Sequence, residues 1–312
     1  MNVIHGIENI PQDLRGAFVT IGNFDGVHLG HKFIFKKVVK EAREAKKKAV
    51  VITFDPNPKM VLHPDRKPFY LISTLEEKIC LLDSLNIDAA IIIPFSLEYS
   101  KTSAESFVRE VLWEKLQAKK VFIGHDYTFG NGKEGDEKLL SILGKKLGFD
   151  VEVIEAVKVN NTIASSTRIR NAILAGDVKA AAILLGRHFN LSGTVIHGHH
   201  RGGDMGIRTA NIAPQKALIP ANGVYAVIVA LGKKRYQGVL NIGFNPTFGD
   251  QKLSVEVHML NLDQDIYGKC LNIFFIERIR DEKKFDSVEK LIEQIKQDIE
   301  LGRKLLKPHF QA

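Results

Sequence analysis

The stretch Ala17-Phe-Val-Thr-Ile-Gly22-Asn-Phe24-Asp-Gly-Val-His28-Leu-Gly30-His31 passes from an apolar, β-rich run into a glycine-punctuated turn, and helical spacing then continues over residues 31–45. A strand turning tightly into a helix is the opening of a βαβ unit. The alternation is sustained, with strands predicted over 17–22, 49–53, 89–93, 120–123 and 151–154 and helices over 31–45, 74–85, 103–116 and 137–147. Strands separated by helices of such length need crossover connections, so they run parallel and are covered on both faces. The first half is therefore expected to be a doubly wound α/β domain.

Beyond two further helices, 166–175 and 178–184, the texture changes to closely spaced strands with turn residues between them, at 223–231, 235–242, 254–260 and 269–280. That spacing predicts an antiparallel barrel or sandwich. A final helix over 287–306 carries Val288, Leu291, Ile292, Ile295, Ile299 and Leu306 in a stripe expected to pack on it. The boundary is placed near residues 186–190, giving domains 1–186 and 187–312.

The length of 312 residues agrees with two domains, at about 150 residues each. Hydrophobic residues make up 45% and charged residues 26%, and no apolar run approaches the ~20 residues of a membrane span. The start has no basic segment followed by an apolar stretch and a cleavage site, so a cytoplasmic protein is expected. Cys80 and Cys270 lie far apart and no CxxC pair occurs. This argues against disulfides and thiolate zinc sites and predicts two buried thiols. The net charge of +8 suits nucleic acid, acidic lipid or a polyphosphate substrate. No basic stripe interleaved with aromatics accompanies it, so neither a nucleic-acid nor a membrane partner is expected, while self-association is left open.

The glycine-rich turn from Gly22 to His31 brings backbone amides and a helix start to the place where a phosphate binds above such a sheet. It is neither a dinucleotide GxGxxG nor a P-loop. Its distinguishing feature is the HxGH pair, His28 and His31, with Gly30 giving close access. Two imidazoles can donate to non-bridging phosphate oxygens and stabilise the charge that builds as phosphorus becomes five-coordinate. Surface or helix-capping histidines are the plainer alternative.

Ser165-Ser166-Thr167-Arg168-Ile-Arg170 stands at another expected helix start, where hydroxyls, amides and guanidinium groups can grip phosphates. Asp126 and Phe129, in Gly124-His-Asp-Tyr-Thr-Phe-Gly130, follow a strand at the carboxyl edge of the sheet and are expected to face the same crevice. Phe54, Pro56 and Asn57, in Thr53-Phe-Asp-Pro-Asn-Pro58, can wall a flat ring.

The second half opens with His197-Gly198-His-His-Arg-Gly-Gly203-Asp-Met-Gly206-Ile207-Arg208-Thr209-Ala-Asn211, a glycine-rich flap suited to a phosphate chain. Thr209 and Asn211 add hard oxygen atoms suited to magnesium held together with phosphate. In Val255-Glu256-Val257-His258, strand alternation puts Glu256 and His258 on one face and the valines on the other; as a carboxylate on an inner face Glu256 is a candidate base for a substrate hydroxyl, a solvent-facing residue of an edge strand being the plainer alternative.

The HxGH turn and the SSTRIR segment resemble the HxGH nucleotidyltransferase superfamily. Together with the stretches at 193–212, 220–227, 238–249, 255–260, 265–268 and 279–285, they resemble the bacterial bifunctional riboflavin kinase/FAD synthetase family over nearly the whole chain. The resemblance implies an amino-terminal FMN adenylyltransferase joined to a six-stranded riboflavin kinase barrel, with riboflavin, FMN and ATP as substrates and Mg2+ accompanying ATP. It implies that His28, His31, Ser166, Thr167 and Arg168 bind ATP beside Gly22, Phe24 and Asp126, with Phe54, Pro56, Asn57 and Phe129 at the flavin. In the kinase it implies Gly198, Gly203, Gly206, Thr209 and Asn211 at Mg-ATP and Glu256 as the group activating the ribityl hydroxyl.

Three positions depart from the family pattern. Arg208 stands where proline is usual, Ile207 where phenylalanine is usual, and Asn57 where a histidine commonly lies between the prolines. Without the proline the turn gains a free backbone angle, although the Arg208 fork could itself contact phosphate. An enzyme competent only in adenylylation is the alternative this leaves. A class I aminoacyl-tRNA synthetase shares the HxGH logic, but the chain is short for one and lacks a KMSKS-like loop.

Overall fold

The computed structural model describes residues 1–65, 68–197, 208–244 and 253–310. The chain forms two compact units, Met1–Ser166 and Thr167–Ala312.

The first unit runs β1 (Asn2–His5), β2 (Phe18–Ile21), α1 (Leu29–Glu44), β3 (Ala49–Asp55), α2 (Pro58–Leu62), α3 (Leu75–Asp83), β4 (Ala89–Pro94), α4 (Ala104–Phe107), β5 (Lys120–Gly124), α5 (Glu137–Leu147) and β6 (Asp150–Ile154). A short hairpin, β7 (Lys158–Val159) and β8 (Thr162–Ile163), follows. The strands β1 to β6 form one parallel sheet in the order β1-β4-β3-β2-β5-β6. Its central strands read as unbroken apolar runs because both faces are covered. Val19, Ile21, Val50, Ile52, Ile91 and Ile93 pack on one side, and Phe18, Val51, Ala90 and Ile92 pack on the other, against Ile34, Phe35 and Val38 of α1 and Leu82 of α3.

Strand order explains where the site lies. From β2 the chain crosses to β3 and β4 on one side and then returns to β5 on the other. The connections after β2 and β5 therefore diverge, and open α/β sheets bind ligands in the crevice left at the carboxyl ends of such strands. The Gly22–His31 turn and the Gly124–Gly130 loop are the two segments that leave this point.

Helix α6 (Ser166–Leu174) starts on the last residue of the first unit; the second unit continues with α7 (Val178–Leu185), β9 (Asn190–Ile196), β10 (Ala210–Pro214), β11 (Gly223–Leu231), β12 (Lys234–Phe244), β13 (Leu253–Met259), β14 (Cys270–Arg280) and a last helix, α8 (Val288–Leu306). The six strands close into an antiparallel barrel, β10-β13-β12-β11-β14-β9, filled by Tyr225, Phe189, Phe275, Leu240 and Ile273. An ion pair from Lys179 of α7 to Glu277 of β14 joins the first helices to the barrel.

Two expectations are corrected. The stripe on α8 does not seat along its whole length: Val288 is 55% exposed, while Asp298, Gly302 and Leu306 are buried. The helix approaches the barrel closely at Gly302, where a Cβ would lie 2.8 Å from Val239. Cys80 and Cys270 are both free and exposed rather than buried, the first on the outer side of α3 and the second at the start of β14, where neither faces a core.

Candidate active sites

The turn after β2 is held by its own strained backbone. Phe24 and Val27 adopt φ of +47° and +41°, and Gly26 adopts φ +81°, a region that costs most side chains energy unless the surroundings fix it. Asp25, 4% exposed, supplies that fixation by accepting from the N–H groups of Ile72 and Ser73 at 3.0 and 3.2 Å. Ser73 Oγ in turn accepts from the Gly26 N–H at 3.0 Å. The Phe24 ring meets His31 edge-on at 5.2 Å.

His28 caps α1, its Nδ1 accepting from the His31 backbone N–H at 3.4 Å. Capping and ligand binding are compatible: with Nδ1 accepting, neutral His28 carries its proton on Nε2, where it can be donated outward. The two rings stack with centroids 3.5 Å apart and planes at 22°. Burial first, then His28 and then Lys78, hold the proton affinity of His31 well below the usual imidazole range. His31 is thus neutral at physiological pH, with one ring nitrogen carrying a proton. Two buried polar atoms of the turn, His31 Nδ1 and Asn23 Oδ1, lack hydrogen-bond partners among the described residues. Such atoms are uncommon in folded proteins and ask for an explanation, of which a ligand is one.

The other expected residues differ in what they present. Ser166 Oγ donates to the Asp25 carbonyl at 2.9 Å. Thr167 and Arg168 are exposed in the first turn of α6. Gly22 lies against the Phe24 ring, where a Cβ would come to 2.9 Å. Asp126 is exposed after β5, whereas Phe129 is buried in the core and stacks on Tyr127 at 5.5 Å. Phe54 is half-buried against Phe95, and Pro56 is exposed. Asn57 is buried and caps α2, its Oδ1 accepting from the Lys59 N–H at 3.1 Å. Asn23, Asp25, Thr53 and Lys78 were not singled out from the sequence. The legible signal was Lys78, a charge three residues after Leu75 and four before Leu82 on an otherwise core-facing stripe.

In the barrel, Glu256 on β13 sits opposite Asn211 on β10 and Asn241 on β12. The valines at 255 and 257 fill the barrel interior, so Glu256, half-buried, lies on the outer face of the sheet rather than on the inner face expected for it. Ser254 Oγ lies 2.8 Å from Glu256 Oε1 and 3.5 Å from Asn211 Oδ1, linking the three. Thr209 is exposed just before β10. No three His, Cys, Asp or Glu side chains among the described residues form a metal cage. The neutral oxygens of Thr209 and Asn211 fit an ion held chiefly by nucleotide phosphates. Gly198, Gly203, Gly206 and Ile207 lie outside the described residues. The Arg208 guanidinium is engaged by Asp263, and its carbonyl lies 2.8 Å from His258 Nδ1.

The family model of FAD synthetase matches residues 10–168, and that of riboflavin kinase matches residues 185–306. The bifunctional riboflavin kinase/FMN adenylyltransferase of Buchnera aphidicola subsp. Acyrthosiphon pisum is 38% identical over 99% of this chain and 99% of its own. The chain belongs to the bifunctional riboflavin kinase/FMN adenylyltransferase family. The Escherichia coli K12 member is 35% identical over 96% of both chains. A crystal structure described as a macrolide-efflux protein from Streptococcus pneumoniae matches with a TM-score of 0.88 and 34% identity, over 97% of this chain and 99% of that one. Like its relatives in the family, the chain is an enzyme that phosphorylates riboflavin to FMN and adenylylates FMN to FAD, with ATP as co-substrate. The doubly wound unit is the FAD synthetase fold and the closed barrel is the riboflavin kinase fold.

Proposed function

We propose that the two reactions occur at separate sites, the adenylyl transfer at the His28–His31 turn and the phosphorylation at Glu256. The observation that carries this reading is the stacked histidine pair at the sheet's switch point, with His31 held neutral by its burial. There, an oxygen of the FMN phosphate attacks the α-phosphorus of ATP, the bond to the bridging oxygen of the β-phosphate breaks, and pyrophosphate leaves. N–H donors from His28 and His31 stabilise the charge on the α-phosphate, and no covalent enzyme intermediate is required. Ser166, Thr167 and Arg168 are assigned to ATP together with Gly22, Phe24 and Asp126, and Phe54, Pro56, Asn57 and Phe129 to the flavin side.

In the barrel, Glu256 accepts the proton of the ribityl hydroxyl as its oxygen attacks the γ-phosphorus of ATP, releasing ADP. Thr209 and Asn211 would hold the magnesium ion that accompanies ATP, which when bound neutralises phosphate charge. Gly198, Gly203 and Gly206 are assigned to the phosphate chain.

The functional boundary is placed at Gly186, so that residues 1–186 serve adenylylation and 187–312 phosphorylation; the two family models leave 169–184 to neither. The enzyme is assigned to the cytoplasm, where ATP is abundant, with small molecules rather than nucleic acid as partners. The efflux name of the Streptococcus pneumoniae structure is not adopted, because the two enzyme family models together account for residues 10–168 and 185–306.

Separate His28→Ala and Glu256→Gln variants test the reading. The first is expected to lose FAD formation from FMN alone and the second FMN formation from riboflavin alone; a shared loss in both folded variants overturns it.

A further inference from the structure

A lysine side chain inside a protein is costly unless its ammonium is hydrogen-bonded, and Lys78 of α3 is only 6% exposed. Its Nζ donates to the Asn23 carbonyl at 2.9 Å and to Thr53 Oγ1 at 3.2 Å. The Thr53 hydroxyl donates to the same Asn23 carbonyl at 3.3 Å. One cation therefore ties α3 and the end of β3 to the first residues of the turn after β2. Among the described residues no carboxylate forms an ion pair with it; Asp25 and Asp55 act on it only through the field.

A leucine or methionine at this core-facing position would complete the helix stripe with no charge to desolvate. What the lysine adds is a fixed donor on Asn23, adjacent to Phe24, whose ring packs on His31, and a positive field at a turn that must receive an anion. We infer that Lys78 is a positioning residue of the adenylyltransferase site, its buried ammonium holding the Asn23–Phe24 segment in the geometry that presents the His28–His31 pair. This rests on the reading of that pair given above. The groups whose charge bears on His31 are His28 in the turn and Lys78 from α3, and both lower its proton affinity. Removing the lysine charge accordingly raises it.

The test uses the full chain, with Lys78→Met, Lys78→Gln and a His28→Ala control, assayed for FAD formation from FMN, FMN formation from riboflavin and thermal unfolding. Lys78→Met is expected to lower kcat for FAD formation by about tenfold or more, since small misplacements of reacting groups have effects of this size. Riboflavin phosphorylation should be unchanged, and the acid limb of the FAD-forming pH profile should move to higher pH. A folded variant with unchanged kcat and acid limb overturns the proposal. If Met prevents folding, the same readings are taken on Lys78→Gln; loss of fold in both variants overturns it too, leaving a purely structural lysine. Retention of FAD formation by His28→Ala would instead overturn the reading of the histidine pair, which separates the two failures.

Discussion

Gly30 is what allows His28 to lie flat on His31. A Cβ at residue 30 would stand 3.1 Å from both Cε1 and Nδ1 of His28 and 3.5 Å from the Ala164 carbonyl, so with an alanine the buried His28 ring must shift by a few tenths of an ångström within its 3.5 Å stack. The substitution favours the helix itself, alanine being better than glycine there by up to about 1 kcal/mol. Gly30→Ala should thus keep or slightly raise the melting temperature while reducing FAD formation, by on the order of tenfold for a shift well under 1 Å. Riboflavin phosphorylation should be untouched. Parallel assays of the two half-reactions check this, and wild-type FAD formation would show that the stack is not needed.

Acid should weaken the first unit through His31. In the unfolded chain this imidazole takes up a proton near its ordinary value of 6.5, whereas in the folded protein it does so only well below that. Between those limits the unfolded state binds more protons, so stability falls as pH falls. The contribution of neutral His31 is complete above the ordinary value and is lost as pH drops towards the folded one. His188 in the second unit, lowered by burial and by His309, has the same sign. Thermal unfolding of wild type and His31→Gln between pH 8 and 5 should show a shallower acid loss in the variant; parallel curves would contradict the assignment.

The parts of this architecture that were legible share a physical property: their pattern is local. Strands such as Val50–Val51–Ile52 are buried on both faces and announce themselves as apolar runs, and the His28-Leu-Gly-His31 spacing is a local arrangement at a helix start. β1 was not legible, because its four residues become a strand only by pairing with β4. The role of Asn57 as a helix cap depends on a five-residue helix too short for periodicity to reveal. Lys78 was missed, and its partners Asn23 and Thr53 lie 55 and 25 positions away, a relation that only the parallel sheet creates. Alternation separated Glu256 from the valines, but the inner face expected for the carboxylate was wrong: only the closed barrel shows that the valines take the interior and Glu256 the outside.

In the barrel, Ser254 holds one carboxylate oxygen of Glu256 at 2.8 Å. The bond orients the carboxylate and leaves its other oxygen to accept a proton. Ser254→Ala should lower kcat for FMN formation by roughly fivefold to tenfold, the worth of about one hydrogen bond, with little change in KM for riboflavin. FAD formation from supplied FMN should match wild type. An unchanged kcat would remove Ser254 from the site, and an equal loss in both reactions would point to damage beyond it.

The last helix is anchored by one ion pair. Arg280 of β14 forks onto Asp298, with Nε at 3.0 and 3.1 Å from the two carboxylate oxygens and Nη2 at 2.8 Å from Oδ2. Gln294 adds a bond to Oδ1 at 3.0 Å. Asp298 is 3% exposed, so Asp298→Ala strands a guanidinium with little access to water, at a cost of about 3–5 kcal/mol. Replacing both partners with apolar residues removes that stranded charge, so Arg280→Met with Asp298→Leu should recover most of the loss. Chemical denaturation followed alongside riboflavin phosphorylation measures both. If the double variant is no more stable than Asp298→Ala, the damage lies in lost packing at the Gly302–Leu306 end of α8 rather than in an unpaired charge.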